Sequence, residues 1–356
     1  MHLRRLTFLY CLLTAGLMTR FWIKAAPPPT QMSQLTFVPG FFTEYPSIDA
    51  GGNQIAFESN ADLVPGSNPT ATTQIFVMNV DGSGLTQLTH GTNKSANASL
   101  NASGDKVTFL SFDDLVSGQN TDANSEIFSI NADGTALKQL THTTGGTFVG
   151  TGFLANDLPS FNYSGKQIVF VSSLDLTSSG NTDNSADIYA MNSDGSKLTQ
   201  LTNTPFGANS ASPCFDPSGK RVFFLSDGNW TGENPNFVGQ LFTMNVDKTG
   251  IIQLTHAPAP GLNENEKTAV DASAGKAVFT SRSDLVSGGN ADGNSEIYML
   301  DIKSGGVTQI TSTVGGRGCW APAISANGKT VVFTSDRDLV GSNPTHSWEI
   351  FMARVP

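Results

Sequence analysis

Short apolar runs separated by polar, turn-forming residues repeat along the chain from about residue 33 to its end. Six of these runs are rich in β-branched and aromatic residues and close on a serine, a composition typical of buried strands. They occupy residues 55–59, 107–111, 168–172, 222–226, 277–281 and 331–335. No stretch keeps the 3.6-residue apolar period of an amphipathic helix. The pattern therefore predicts an all-β protein.

Three further predicted strands accompany each of these runs. One starts with Gln, Glu or Asp followed by two apolar residues, at positions 74, 126, 187, 240, 296 and 349. Another is a Gln-Leu-Thr-like segment at positions 87, 139, 200, 253 and 309. Asp-Gly pairs at 81–82, 133–134 and 194–195 lie between these two and predict tight hairpins, because glycine tolerates positive φ. The last strand precedes the serine-ending run, as at 46–49, 159–162 and 213–216.

Six such four-stranded units predict a six-bladed β-propeller of antiparallel blades. The sixth unit stops soon after Phe351 and lacks a Gln-Leu-Thr strand of its own. An unpartnered Gln-Leu-Thr stands at Gln34–Thr36, before the first unit. We therefore expect the N-terminal strand to complete the last blade, which closes the ring and leaves no open sheet edge.

The units resemble the WD40-like repeat of the TolB family, whose members contain a periplasmic propeller. The resemblance is carried by Pro-Cys-Phe-Asp-Pro-Ser-Gly-Lys at 213–220 and by the Glu-Ile-Tyr and Gln-Leu-Thr strands, and it covers residues 33–356. It implies a six-bladed propeller that binds other proteins of the cell envelope. TolB proteins carry an additional α/β domain before the propeller, for which residues 1–32 offer no counterpart. We therefore expect a TolB-like propeller protein that is not TolB itself.

The first residues differ in character from the repeats. Arg4 and Arg5 precede an apolar run over 6–18, the pattern of a secretory signal. We predict a signal peptide or N-terminal anchor over 1–26, a proline-rich spacer over 27–32 and the propeller over 33–356. The protein is then expected in the periplasm, or secreted to the cell surface, with no other membrane domain.

Composition and motifs narrow the function. The net charge of −10 over 356 residues, without basic clusters, argues against nucleic acid as a partner. The sequence contains no His-Glu-x-x-His motif and no Gly-x-Ser-x-Gly elbow. His90, His142 and His256 each follow a Gln-Leu-Thr-like strand of a different blade, so they should not converge on one site. We expect a monomer that is not an enzyme, with Cys214 and Cys319 buried as small apolar side chains.

Two long loops place oxygen-bearing side chains at alternate positions. Such oxygens suit a hard cation such as Ca²⁺. The alternative is that these Asn and Asp side chains hydrogen-bond their own backbone to hold turns, in which case no cofactor is needed. The candidate residues are Asn120, Asp122, Asn124 and Glu126 in one loop, and Asn290, Asp292, Asn294 and Glu296 in the other.

In a four-stranded meander the loop between the second and third strands emerges on the same face as the connection between blades. Both connections are long here, and loops displayed by a rigid scaffold commonly carry function. The aromatic residues and one arginine in the connections between blades predict a binding mouth for an envelope protein or peptide. They are Phe41, Phe42, Phe148, Phe153, Phe206, Arg317 and Trp320. The alternatives are packing between blades, a carbohydrate-active or other enzyme at the channel mouth, and a Ca²⁺-dependent surface module.

Overall fold

A computed structural model describes residues 31–145, 156–178, 180–205, 207–262 and 267–356. Within these residues the chain forms six four-stranded antiparallel sheets and no helix. Consecutive sheets pack side by side in a ring, and the first sheet contacts the last. The predicted all-β, six-bladed propeller is confirmed.

The first strand of each blade lies innermost and contacts the first strands of the neighbouring blades. In blades I to VI these strands are β2 (Thr43–Ile48), β6 (Ser95–Leu100), β10 (Asn156–Phe161), β14 (Ser210–Phe215), β18 (Ala269–Val270) and β22 (Cys319–Ile324). The serine-ending strands come second: β3 (Gln54–Ser59), β7 (Lys106–Ser111), β11 (Gln167–Ser172), β15 (Arg221–Ser226), β19 (Lys276–Ser281) and β23 (Thr330–Ser335).

The outer half of each blade contains the third and fourth strands. The third strands are β4 (Gln74–Asn79), β8 (Glu126–Asn131), β12 (Asp187–Asn192), β16 (Gln240–Asn245), β20 (Glu296–Asp301) and β24 (Glu349–Arg354). The fourth strands of blades I to V are β5 (Thr86–Gln87), β9 (Lys138–Gln139), β13 (Thr199–Gln200), β17 (Ile252–Gln253) and β21 (Val307–Gln309), and blade VI uses β1 (Gln31–Gln34).

The N-terminal strand closes the ring as predicted. Gln34 pairs with Phe351, and the Leu35 amide donates to the carbonyl of Ile350 at 2.7 Å. The strand starts two residues earlier than expected, because Gln31 and Met32, assigned to the spacer, continue the ladder along β24. The rest of the predicted leader and spacer, residues 1–30, lies outside the described residues.

A threonine hydrogen bond repeats in all six blades and explains why Gln-Leu-Thr recurs. The hydroxyl donates to the side chain that opens the third strand and accepts the next backbone amide of that strand. The donor–acceptor pairs are Thr89 and Gln74, Thr141 and Glu126, Thr202 and Asp187, Thr255 and Gln240, Thr311 and Glu296, and Thr36 and Glu349. Thr36 accepts the Ile350 amide at 2.9 Å, so the N-terminal segment reproduces the internal repeat.

Aromatic pairs fill the blades at equivalent positions. Each second strand contributes a phenylalanine whose ring stacks on the aromatic residue opposite it on the third strand, at centroid distances of 5.7–6.2 Å. All of these rings are fully buried, and burial of a side chain of this size contributes about 1.5–3 kcal/mol. Cys214 and Cys319 are also buried and free, as predicted. No described helix has the length and apolar character needed to cross a bilayer.

Five of the six innermost strands share a β-bulge at their third residue. Tyr45, Asn97, Leu158, Ser212 and Ala321 occupy this position in five blades and adopt φ of 47–55°, which is uncommon for residues other than glycine. The ladder register shifts at each bulge. The bulge therefore interrupts sheet pairing beside the propeller axis and leaves backbone carbonyls there for other partners.

Candidate functional site

The long loops and the connections between blades lie on one face, which we call the loop-bearing face. The predicted anchors from both ends of the chain meet on this face at the junction of blades VI and I, which we call the aromatic seam. It consists of Phe41, Phe42, Arg317, Trp320 and Trp348. Phe42 forms a parallel bridge with Trp348, and the Thr43 amide donates to the Trp348 carbonyl at 2.8 Å.

Ring contacts connect the aromatic seam. Trp348 lies 5.7 Å from Phe42 and 5.5 Å from Trp320 between ring centroids, and the Trp320 contact is edge-on. The guanidinium of Arg317 lies 4.1 Å from the Trp320 centroid and 5.4 Å from that of Trp348. Such cation–π contacts hold the arginine at a fixed place on the seam.

Exposure divides the seam into a surface and a support. Phe41 is 45% exposed, whereas Trp320 is fully buried and takes the packing role given above as the alternative. A groove of about 490 Å³ runs along the surface. It is lined by Gly40, Phe41, Phe42, Asn60, Thr345, His346, Ser347 and Trp348. The other predicted anchors, Phe148, Phe153 and Phe206, lie outside the described residues.

The first candidate metal loop is held by hydrogen bonds to protein groups. Asn120 Nδ2 donates to the Asn124 carbonyl at 3.0 Å, and Asn124 Nδ2 donates to the Thr143 carbonyl at 3.0 Å. Glu126 accepts the Thr143 amide at 2.5 Å, and Asp122 accepts the amide of Gly145 at 3.1 Å. Burial raises the pKa of the Glu126 carboxyl.

The second candidate metal loop repeats this arrangement. Asn290 Nδ2 donates to the Asn294 carbonyl at 2.9 Å, and Asn294 Nδ2 donates to a threonine hydroxyl at 2.8 Å. Glu296 accepts the Thr313 amide at 2.6 Å, and Asp292 accepts a glycine amide at 2.8 Å. Across the described ranges, no group of three or more His, Cys, Asp or Glu side chains is arranged to hold a metal ion.

Ca²⁺ binding by these loops stays a prediction that a melting experiment can check. Because the carboxylates of both loops already accept protein hydrogen bonds, we expect the melting temperature to be the same in EDTA and in millimolar Ca²⁺. Differential scanning calorimetry measures this directly. A rise in Ca²⁺ that Asp122→Asn or Asp292→Asn removes would instead establish a cation site, since a ligand that binds only the folded state raises its stability.

The axial channel has two unlike halves. Away from the loop-bearing face lies a cavity of about 150 Å³ walled by all six innermost strands. Five prolines and a set of apolar side chains line it, among them Pro46, Pro159, Pro213, Pro217, Pro322, Ile48, Leu100, Phe161, Phe215, Val270 and Ile324. Lys267 also lines this cavity and crosses the axis from blade V, where it donates to the carbonyls of Tyr45 at 2.9 Å and Ala98 at 2.5 Å.

Charged side chains occupy the channel on the loop-bearing side. Glu58 is fully buried at the end of β3, and its Oε2 accepts the Asn97 amide at 2.6 Å. Asn97 Nδ2 in turn donates to Asp157 Oδ1 at 2.6 Å. Burial raises the pKa of Asp157 to about 6 and lowers the pKa of Lys267 to about 8. These groups are therefore close to titration at neutral pH, which is common at functional sites.

The sequence did not single out these axial residues or Trp348. Asn97 is the bulge residue of blade II, Asp157 directly precedes the bulge residue of blade III, and Lys267 lies two residues before β18. Alignment of the six repeats would have shown charged residues at a position facing the axis. Trp348 directly precedes the Glu-Ile-Phe strand of blade VI.

Known proteins share this architecture at low sequence identity. No protein-family model matches the sequence. TolB from Acinetobacter baumannii has a TM-score of 0.57 and 16% identity, over 86% of this chain and 64% of that one. The oligogalacturonate lyase of Vibrio parahaemolyticus has a TM-score of 0.51 and 12% identity, over 92% of this chain and 96% of the lyase.

The fold is thereby assigned. This chain is a TolB-like six-bladed propeller. A curated relative, dipeptidyl-peptidase 5 of Porphyromonas endodontalis, is 23% identical to the TolB-like propeller over 301 residues, or 82% of the chain. The chain spans 37% of the length of that relative.

The prediction that the protein is not an enzyme is wrong. It was based on missing catalytic motifs and on histidines that lie exposed on three separate blades. However, the curated relative is named as a peptidase, and a lyase has the same propeller architecture. The absence of familiar motifs from a TolB-like propeller therefore does not exclude catalysis, because function resides in sites that a shared fold can carry.

Proposed function

We propose that this TolB-like propeller is exported and binds a peptide or a segment of an envelope protein at the aromatic seam. The observation that carries the proposal is the groove in which Phe41, Phe42 and Trp348, from opposite ends of the chain, lie together. Aromatic side chains that are rigidly held and partly exposed are the usual anchors of protein interfaces. Arg317 adds a cation that suits an acidic or carbonyl-rich partner.

Further apolar side chains are exposed in the chain segments that contain the seam residues. Phe37 is 61% exposed on the segment that joins β1 to β2, and Val340 is 41% exposed in the long loop of blade VI. Val314, in the connection into blade VI, is 84% exposed. Contiguous exposed apolar surface on a folded protein commonly marks an interaction site.

Export is the second part of the proposal. The basic and apolar pattern over 1–18 supports it. Fractionation of cells that produce the full chain, with N-terminal sequencing of the mature protein, tests it. Recovery of the intact chain only in the cytoplasm would contradict export.

Variants of the seam test the binding site. Peptides that bind the full chain are first selected from a random library. We expect Phe41→Ala to lower the affinity for these peptides by at least about tenfold, since interface anchors contribute about 2 kcal/mol or more. Phe237→Ala is the matched control, because Phe237 is 57% exposed in the corresponding long loop of blade IV. Isothermal titration calorimetry gives both affinities. Equal loss in the two variants, or no loss in Phe41→Ala, would rule out the seam.

A second function is favoured by the similarity to a dipeptidyl-peptidase, namely substrate recognition during peptide hydrolysis. Both functions require peptide binding, so the selected peptides serve for both. Mass spectrometry of each peptide after incubation with the full chain distinguishes them: intact peptides support binding alone, and shortened peptides support hydrolysis. The incubation is repeated after treatment of the protein with a serine-reactive fluorophosphonate. Loss of cleavage together with labelling of this chain would assign the cleavage to a serine nucleophile of this chain.

A further inference from the structure

The loop-bearing half of the axial channel holds more negative than positive charge. Glu44, Glu58 and Asp157 contribute three carboxyl groups, and Lys94 and Lys267 contribute two ammonium groups. Glu58 is fully buried, and Glu44 is only 6% exposed. Charges buried in this way require partners, since removing them from water is costly.

Two acceptor atoms of Glu58 and its neighbour Asn97 have no hydrogen-bond donor. They are Glu58 Oε1 and Asn97 Oδ1, and both are buried. Glu58 Oε1 has only Lys94 Nζ nearby, at 3.7 Å, and the Lys94 side chain is half exposed. Buried acceptors without a donor are rare in folded proteins, and each one calls for an explanation.

We propose that Glu58, Asn97 and Asp157 form a binding site for a primary ammonium group, the N-terminus or a lysine side chain of a peptide. An ammonium group has three N–H donors and no acceptor. The three residues are linked by hydrogen bonds of 2.6 Å, so they lie together beside the axis. We call these three residues the axial ammonium site.

The protein already places one ammonium group in this channel. Lys267 Nζ donates to the Tyr45 and Ala98 carbonyls at the β-bulges of blades I and II, and it lies 5.9 Å from the Tyr45 ring centroid. Carbonyl oxygens, an aromatic face and nearby carboxylates therefore already surround an ammonium group in this channel. The raised pKa of Asp157 is consistent with a carboxylate that lacks full compensation by cations.

Lys94 competes for the axial ammonium site. Its ammonium interacts mainly with Glu58, which raises the pKa of Lys94. Because the Lys94 side chain is half exposed and its Nζ lies 3.7 Å from Glu58 Oε1, an external ammonium group can take its place while the buried Glu58 carboxylate stays paired. Removal of Lys94 should therefore strengthen the binding of an external ammonium group, the opposite of what loss of folding would do.

Small amines test the site without reference to peptides. Nuclear magnetic resonance titration of the full chain with n-butylammonium is compared with titrations of butan-1-ol and sodium chloride. We expect n-butylammonium alone to bind, with affinity raised on the order of tenfold in Lys94→Ala and lowered on the order of tenfold in Asp157→Asn. Lys106→Ala, a change of an exposed lysine elsewhere in blade II, should leave the affinity unchanged.

Several results would overturn the proposal. Equal binding of butan-1-ol would identify an apolar site, and competition by sodium at equal concentration would identify a site for any small cation. Unchanged or weaker binding in Lys94→Ala would reject the competition on which the proposal depends.

The peptide part rests on the proposed function and has its own test. Ala-Ala-Ala with a free N-terminus and acetyl-Ala-Lys-Ala-amide each present one ammonium group. Binding of either peptide supports the proposal and shows whether the site takes an N-terminus or a lysine side chain. Failure of both, with n-butylammonium still bound, would overturn the peptide assignment. Loss of seam binding in Phe41→Ala would leave the n-butylammonium result unaffected, so the two failures can be told apart.

Discussion

Deletion of residues 31–36 should lower the free energy of unfolding on the order of 5 kcal/mol. This is a large share of the roughly 5–15 kcal/mol that holds a typical domain together. The deletion removes the whole fourth strand of blade VI and exposes the edge of β24. It also takes the Thr36 hydroxyl away from Glu349, whose carboxylate is 1% exposed. Loss of a hydrogen-bond donor destabilises the protein several times more when the carboxylate is buried than when it is exposed.

Urea denaturation followed by tryptophan fluorescence measures this effect, because Trp320 and Trp348 lie beside the closed blade. Two single substitutions, Thr36→Val and the matched control Thr255→Val, test the threonine hydrogen bond separately from the strand. Both remove the repeated threonine hydrogen bond, but Thr255 bonds a neutral glutamine and Thr36 bonds a carboxylate. We expect Thr36→Val to cost more, by about 1 kcal/mol.

A peptide of residues 30–38 added to the deleted chain provides a second measurement. Strand addition to an open sheet edge should restore part of the lost stability, and the same peptide with Thr36→Val should restore less. A deletion that leaves the urea midpoint unchanged would show that the ring does not depend on this strand.

The strand order of the propeller follows from the sequence because each blade repeats the same chemistry. The Gln-Leu-Thr at Gln34–Thr36 could be assigned to blade VI because its threonine makes the same two hydrogen bonds as Thr89 and Thr255. Six copies of one local arrangement supply six independent indications of one fold. The bounds of β1 were less certain because Gln31 and Met32 carry no repeat signature and pair only through their backbone.

The functional residues could be predicted only in part. Phe41, Phe42 and Arg317 were visible as unusual residues in loops, but their meeting with Trp348 depends on closure of the ring. The axial charges were missed because Asp157 and Lys267 stand in segments that depart from the repeat. Their burial arises from contacts between blades I, II, III and V, and no pattern local to one blade reports such contacts.

Replacement of Asp157 by asparagine should stabilise the protein at neutral pH. Burial raises the pKa of Asp157 from 3.8 to about 6, so the folded state binds a proton more tightly than the unfolded state does. Its contribution to stability is therefore complete below about pH 4 and is lost as the pH rises to about 6. A shift of this size corresponds to roughly 3 kcal/mol. Asparagine cannot ionise, and it can still accept the hydrogen bonds of the Leu158 amide and the Asn97 side chain.

Urea denaturation of the wild type and of Asp157→Asn between pH 4 and pH 8 measures the difference. We expect equal stability near pH 4 and an advantage of up to about 3 kcal/mol for the variant above pH 6. Other buried carboxyls with raised pKa values, such as Glu126 and Glu349, contribute equally to both proteins, so the difference isolates Asp157. Glu233→Gln, at a 61% exposed carboxylate of blade IV, should show no such difference. A variant that is less stable at every pH would show that Asp157 acts as a structural hydrogen-bond acceptor.

The contribution of Lys267 to the free energy of unfolding should depend on pH in the opposite sense, in the alkaline range. Burial lowers the pKa of Lys267 to about 8, so the unfolded state binds its proton more tightly and stability rises between about pH 8 and pH 10.5. Lys267 and Asp157 thus both carry a charge at neutral pH that costs stability. A protein that keeps such charges at its axis loses stability for a reason other than folding. The stabilised Asp157→Asn variant should accordingly be the one that binds n-butylammonium more weakly, which links the cost of this carboxylate to the ligand it would hold.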